Sequence, residues 1–364
     1  MSVRVLQVLG YSTGGIARHV AQVTRGLDGQ GFDVAIAGPP DLPLPMPKTV
    51  LPVTIPRGPL RGHRAAVARL REVVASGPYD VVHAHGLRAG IDTALAARGL
   101  CPVVLTVHNL VHPAVAGRVK HLAYRQAESL AVRLTDHTFA VSADIARHLR
   151  RKRGGRRDKV EVLYLGIGDP PGVERDRAIV RASLGVGEDE RLVVTASRLA
   201  PQKALGVMLE ALAAVDVPFV LAVLGTGPQE AELRAAAERI GVGERVRWLG
   251  FRTDVADYIA AGDVFCLSSV WEGVPLAAQE AILLGVPVVA TAVGGMPELV
   301  EDAVTGRLVP PGDARALAAA LRQVLTSESL RKAFADGARE RLRARFDTGR
   351  MLERLAAEYR GRTR

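Results

Sequence analysis

Short apolar runs alternate along the chain with longer stretches of helical periodicity. Val3–Leu9, Phe32–Ala37, Val50–Thr54, Asp80–Ala84, Pro102–Val107, His137–Val141 and Val160–Tyr164 are apolar through most of their length. Strands covered on both faces read this way. Helical patterns lie between them at Ile16–Gly26, from Arg88 on, at Ala114–Thr135 and at Ala143–Arg150. Gly166–Gly172 is the densest Gly/Pro punctuation and marks a boundary. A second series follows, with strands predicted at Leu192–Ala196, Phe219–Leu224, Val246–Gly250, Val264–Leu267, Val286–Thr291 and Arg307–Val309. Its helices are predicted at Lys203–Val215, Gln229–Ile240, Asp254–Ala261, Asp313–Leu325, Glu328–Arg345 and Asp347–Arg360. Each series suits a parallel sheet with helices on both faces. The expectation is an α/β protein of two doubly wound domains, residues 1–168 and 169–346.

Length agrees, since 364 residues are too many for one ordinary core. A chain 48% hydrophobic and 24% charged has the composition of a soluble globular protein. No stretch is apolar enough to span a bilayer, and the N-terminus enters a strand without a secretory leader, so a cytoplasmic location is expected. Cys101 and Cys266 are too few for a disulfide scaffold and read as buried free thiols. The net charge of +10 points to an acidic partner: a nucleotide, an anionic membrane or nucleic acid. Aromatic residues make up only 4% and do not interleave with the basic runs, which argues against nucleic acid. Arg57–Val74 reads as a basic amphipathic helix, either an ordinary solvated face or one resting peripherally on an anionic inner membrane. The basic cluster Arg150–Arg157, with Lys159, reads as a solvated loop, or else as an acceptor or membrane contact.

Candidate chemistry sits at strand ends. Gly10 to Gly15 turn from a strand into a helix, where glycines allow close approach and a helix N-terminus offers N–H groups to an anion. His83, His85 and His108 end strands, the side on which open α/β sheets bind ligands. No third ligand at metal spacing is visible for His83 and His85, so no metal is expected there. Arg198 and Lys203 follow a strand near a helix start and read as a diphosphate clamp, or else as surface cations in salt bridges. Gly225-x-Gly227 lacks the third glycine of a dinucleotide turn. Glu272 is expected on a loop and Glu280 on the helix beginning near Pro275. The two carboxylates would hold vicinal hydroxyls or act as a hydrolase pair. Gly294 and Gly295 open another helix and invite an anion. No D-x-D or G-x-x-x-x-G-K-[ST] is present, which argues against an aspartate-held divalent metal and a P-loop NTPase.

The run from Trp271 to Glu298 resembles the E-x7-E block of family 4 retaining glycosyltransferases of the GT-B fold. Arg198 and Lys203 match that family's R-L-x-x-x-K, and Gly14, Gly15, His108 and Gly225 fall in its order. The resemblance implies two Rossmann-like domains facing across a cleft, with the terminal segment 347–364 crossing back onto the first. It implies sugar transfer from a nucleoside-diphosphate sugar to a hydroxyl acceptor, lipid-linked or part of a cell-envelope glycan, with retention and without metal or other cofactor. Arg198 and Lys203 would grip the diphosphate, Glu280 the ribose, and Glu272 with the backbone of Gly273 and Val274 the sugar. His108 would lie at the reaction centre and Gly15 near the phosphates, with Gly14, Gly225, Pro275, Gly294 and Gly295 also around the donor. Ala204 replaces the glycine that usually follows the lysine, and Leu165 replaces a usual asparagine. The alternatives are an epimerase on the same fold and a non-catalytic nucleotide-sugar-binding subunit.

Overall fold

The computed structural model describes every residue except 1, 13, 43–44, 57, 59–60, 111–112, 152–156 and 364, and the side chains of all of these but 113–121 and 157. The chain divides into two compact units, Met1–Gly168 with Phe346–Arg364, and Asp169–Arg345.

The first unit holds strands β1 (Val3–Leu9), β2 (Phe32–Gly38), β3 (Val50–Pro52), β4 (Val81–His85), β5 (Val103–Val107), β6 (His137–Ala140) and β7 (Val160–Val162). They form one parallel sheet in the order β3-β2-β1-β4-β5-β6-β7. The central strands β4 and β5 are buried at every residue, which is why their sequences are continuous apolar runs rather than alternating ones. Because the chain winds outward in both directions from β1 and β4, those two strands flank the topological switch point.

The second unit holds β8 (Arg191–Ala196), β9 (Phe219–Leu224), β10 (Val246–Gly250), β11 (Val264–Leu267), β12 (Val288–Thr291) and β13 (Arg307–Val309). The sheet is again parallel, in the order β10-β9-β8-β11-β12-β13, with its switch point between β8 and β11. Its core joins Leu209, Phe219, Leu221, Leu321 and Phe334, helices closing over the strand face.

The terminal helix Thr348–Arg362 completes the first unit. Met351, Leu355 and Tyr359 join Val5, Phe32 and Phe139 in one buried cluster. Arg354 clasps both oxygens of Glu161, at 2.8 and 2.5 Å. Leu165, in the connecting segment, is buried.

Two local expectations are corrected. The segment read as Arg57–Val74 is the helix His63–Ser76, with Arg57 outside the described residues. Its apolar residues Ala66, Leu70, Val73 and Val74 pack into the unit's own core, so only its arginine face meets solvent. Lys203 does not open a long helix: Pro201–Lys203 form a single 3₁₀ turn, and the α-helix runs from Leu205 to Ala213. A helix at Arg177–Ser183 was not anticipated, because Val180 is its one buried residue and leaves no periodic signal. Most of the cluster Arg150–Arg157 lies outside the described residues. Among the described residues no helix is long and apolar enough to cross a membrane.

Candidate active site

In the second unit the loops leaving β8 and β11 open onto the switch point, where strand carboxyl ends leave a crevice. Hydrogen bonds tie them into one platform. Val270 N–H donates to the Gln202 carbonyl at 2.8 Å, Gln202 Nε2 to the Trp271 carbonyl at 3.0 Å, and Ser268 Oγ to the Lys203 carbonyl at 2.9 Å. From the next strand, Thr291 Oγ1 donates to the Ser269 carbonyl at 2.6 Å.

This platform brings Lys203 and Glu272 together across 69 positions of sequence. Lys203 Nζ donates to Glu272 Oε1 at 2.5 Å, and Ser269 Oγ donates to the same oxygen at 2.6 Å. The side chains are 17% and 7% exposed, so the pair is largely withdrawn from water. Such a pair tolerates loss of one partner poorly, because the other charge is then buried alone. Arg198 differs: it is exposed, and its guanidinium makes no hydrogen bond or ion pair among the described residues.

Two glycines permit the close contacts of this platform. A Cβ on Gly294 (φ +53°) would stand 1.9 Å from the Glu272 carbonyl oxygen, and one on Gly225 (φ +131°) would stand 2.0 Å from the Ser197 carbonyl oxygen. Both positions let one loop pass against the backbone of another that carries a candidate side chain. Their neighbouring N–H groups are already committed: Gly295 donates to the Gly273 carbonyl and Gly225 to the Gly250 carbonyl, each at 2.7 Å. Gly295 opens a helix of only four residues, Met296–Leu299. The N–H of Gly295 is therefore not free for the expected anion, and Gly294 serves the close packing of the two loops. Pro275 caps the helix Leu276–Leu283, on which Glu280 is half-buried.

In the first unit, Gly14 caps the helix Gly15–Leu27 without a side-chain cap and with no acidic residue in its first turn. Its first N–H groups are therefore left to water or to an anion. Beneath this helix lies a group of histidines. His108, just past β5, has Nε2 3.2 Å from Nδ1 of His85, the last residue of β4. His85 Nε2 is 2.7 Å from Gln7 Oε1, and Gln7 Nε2 donates to Tyr359 Oη at 3.2 Å. An amide oxygen only accepts, so His85 carries its proton on Nε2 and accepts from His108 through Nδ1. Tyr359 Oη also lies 2.5 Å from His83 Nδ1, and His83 Nε2 2.7 Å from Thr106 Oγ1. Burial holds His83, His85 and His108 well below the usual imidazole range, which keeps the rings neutral.

Two family profiles match this chain. One, described as Glycosyltransferase Family 4, covers residues 13–169, and the other, described as Glycosyl transferases group 1, covers residues 176–341. The chain belongs to glycosyltransferase family 4. Among curated relatives, the D-inositol 3-phosphate glycosyltransferase of Mycobacterium tuberculosis (strain ATCC 25618 / H37Rv) is 32% identical over 265 residues, 67% of this chain and 54% of that protein. The chain thus spans about half the length of the curated relatives it matches. Among solved structures, Anabaena HepE in complex with UDP-glucose superposes with a TM-score of 0.82 at 24% identity, over 98% of this chain and 99% of that one. Sucrose-phosphate synthase from Thermosynechococcus elongatus superposes with a TM-score of 0.84 at 22% identity, over 98% of both chains. These likenesses place the fold in the GT-B class.

For this member of glycosyltransferase family 4 the departure at Ala204 now has a physical reading. Ala204 adopts φ +45° and ψ +43°, the left-handed region where glycine is favoured. The turn keeps the backbone that a glycine would take, at a cost of about 1 kcal/mol. Ala204→Gly is therefore expected to raise stability by up to about 1 kcal/mol, less the extra entropy of glycine in the unfolded chain. Urea unfolding would read this as a higher midpoint at constant slope; a lower midpoint would remove the strain argument.

Sequence reading missed His19, Ser269 and Gln202. Ser269 and Gln202 carried no signal of their own, since each acts through a loop distant in sequence. His19 did carry one: it is a polar residue among the buried positions Ala17, Val20 and Val23 of its helix.

Proposed function

We propose that this chain transfers a sugar, with retention of anomeric configuration, from a nucleoside-diphosphate sugar to a hydroxyl acceptor. The observation that carries this reading is the Lys203–Glu272–Ser269 cluster beside the unpaired Arg198 at the switch point of the second sheet. Arg198 supplies a planar fork for two phosphate oxygens, and Lys203 a point charge. Together they stabilise the charge that develops on the leaving diphosphate, the task a divalent metal performs elsewhere. Glu272 is held through Oε1, so Oε2 is left to accept from a sugar hydroxyl. Glu280 serves the ribose. His108, kept neutral by burial and oriented by His85, exchanges hydrogen bonds with the sugar near the reaction centre, and Gly14 and Gly15 offer N–H groups to the phosphates. The reaction in this proposal is a same-face displacement, in which the acceptor oxygen bonds to the anomeric carbon as the bond to the diphosphate breaks and a donor phosphate oxygen takes the acceptor proton.

The names of the relatives guide the choice of substrates. HepE was solved with UDP-glucose, so UDP-hexoses lead the donor panel; a phosphorylated polyol and lipid-linked sugars lead the acceptor panel. Attachment to the inner membrane, if the acceptor is a lipid, rests on charge through the exposed arginines of His63–Ser76. Incubation with nucleotide sugars should release free nucleoside diphosphate only when acceptor is present, with little release by Glu272→Ala. Product formed without acceptor would indicate an epimerase. Donor binding without any turnover would indicate a sensor subunit.

A further inference from the structure

His19, His85 and His108 come from three separate elements, a helix and two strand ends, yet their rings form a nearly equilateral triangle. Their centroids are 5.4, 5.4 and 5.5 Å apart, and one nitrogen of each lies within 4.8 Å of the other two. Both ring nitrogens of His19 are buried and have no hydrogen-bond partner among the described residues. An orphaned buried polar group of this kind needs a reason. Burial moves the His19 imidazole down to about 4, so the ring is neutral and offers a lone pair.

An ion at the centre of such a triangle stands ~3.1 Å from each centroid, the distance that metal–nitrogen bonds of about 2.0–2.1 Å produce. The outer support is also in place. His85 is fixed through its other nitrogen by Gln7, which is held in turn by Tyr359. Ligating histidines are oriented in this manner, by a second hydrogen bond on the far nitrogen. Three imidazoles with no carboxylate suit Zn²⁺, Cu²⁺ or Ni²⁺ rather than Mg²⁺ or Ca²⁺.

We propose that His19, His85 and His108 form a three-imidazole site for a borderline transition-metal ion of the Zn²⁺ type, with a fourth position open to water. Binding requires His108 to move its proton to Nδ1, releasing the hydrogen bond to His85 and freeing Nε2 for the ion. The ion takes His108 away from the sugar, so occupancy inhibits transfer. This consequence rests on the role given to His108 above; the site itself does not.

The test uses the full chain, stripped with a chelator and titrated with Co²⁺ as a spectroscopic probe and with Zn²⁺ by calorimetry. One ion per chain is expected, with the intense visible absorption of four-coordinate Co²⁺, displaced by Zn²⁺. Affinity should fall at least tenfold in His19→Gln and in His108→Ala, the second lying at the less buried rim and sparing the fold if the first does not. Zn²⁺ should inhibit the wild type and spare His19→Gln. A pale six-coordinate Co²⁺ spectrum, or equal affinity in both variants, would overturn the proposal. If no donor turns over under any condition, the transfer reading fails while the Co²⁺ spectrum still decides the metal site.

Discussion

Arg198→Ala is expected to lower kcat/KM for the nucleotide-sugar donor by about 10²–10³-fold, the usual effect of removing one preorganised donor to a developing negative charge. Its stability should stay within about 0.5 kcal/mol of wild type, because an exposed side chain without partners is lost at little cost. Lys203→Ala should match the loss of activity but not the silence in stability. Removing it strands Glu272 beneath the surface with only Ser269 Oγ as partner, at a cost of about 3 kcal/mol. The two variants thus separate charge stabilisation from structural support at neighbouring positions. Parallel measurement of steady-state kinetics and chemical unfolding decides it. Wild-type kcat/KM in Arg198→Ala would remove the diphosphate clamp, and equal stability in the two variants would remove the buried pair.

Tyr359→Ala should destabilise the protein by about 3–5 kcal/mol, the range for emptying a buried aromatic site. Tyr359→Phe keeps the ring and removes only the hydroxyl. It leaves Gln7 Nε2 and His83 Nδ1 without that partner in a dry interior, at about 1–3 kcal/mol. The same change loosens the set that orients Gln7, His85 and then His108, so kcat should fall several-fold with donor KM nearly constant. Differential scanning calorimetry and kinetics on the pair would show this. A Phe variant with wild-type stability and kcat would mean that the hydroxyl supports neither the core nor His108.

The sheets were legible because strands buried on both faces are written as unbroken apolar runs, and Gly166–Gly172 punctuates the passage between the two series. Arg198, Lys203, Glu272 and Glu280 were legible as residue types at strand ends. That Lys203 and Glu272 would meet was not, since their contact depends on loops leaving adjacent strands of an order-reversing sheet, and local pattern carries no record of that adjacency. Gly294 and Gly295 looked like an anion turn because glycine before a helix has that meaning in general. At Gly294 the constraint is a carbonyl 1.9 Å from where a Cβ would be, set by a loop distant in sequence. In the sequence no third ligand at metal spacing is visible beside His83 and His85. The third and fourth rings arrive from positions 19 and 108, brought in by a helix and a neighbouring strand.

The placement of Thr348–Arg362 has a consequence for the order in which the protein is made. The first sheet is translated before the second, but the buried cluster around Phe139 lacks Met351, Leu355 and Tyr359 until residues 351–359 leave the ribosome. The second unit, Asp169–Arg345, is contiguous and has no such dependence. The unit synthesised later is therefore the one able to close first during synthesis, and the first sheet waits, with part of one apolar face uncovered, for the helix Thr348–Arg362.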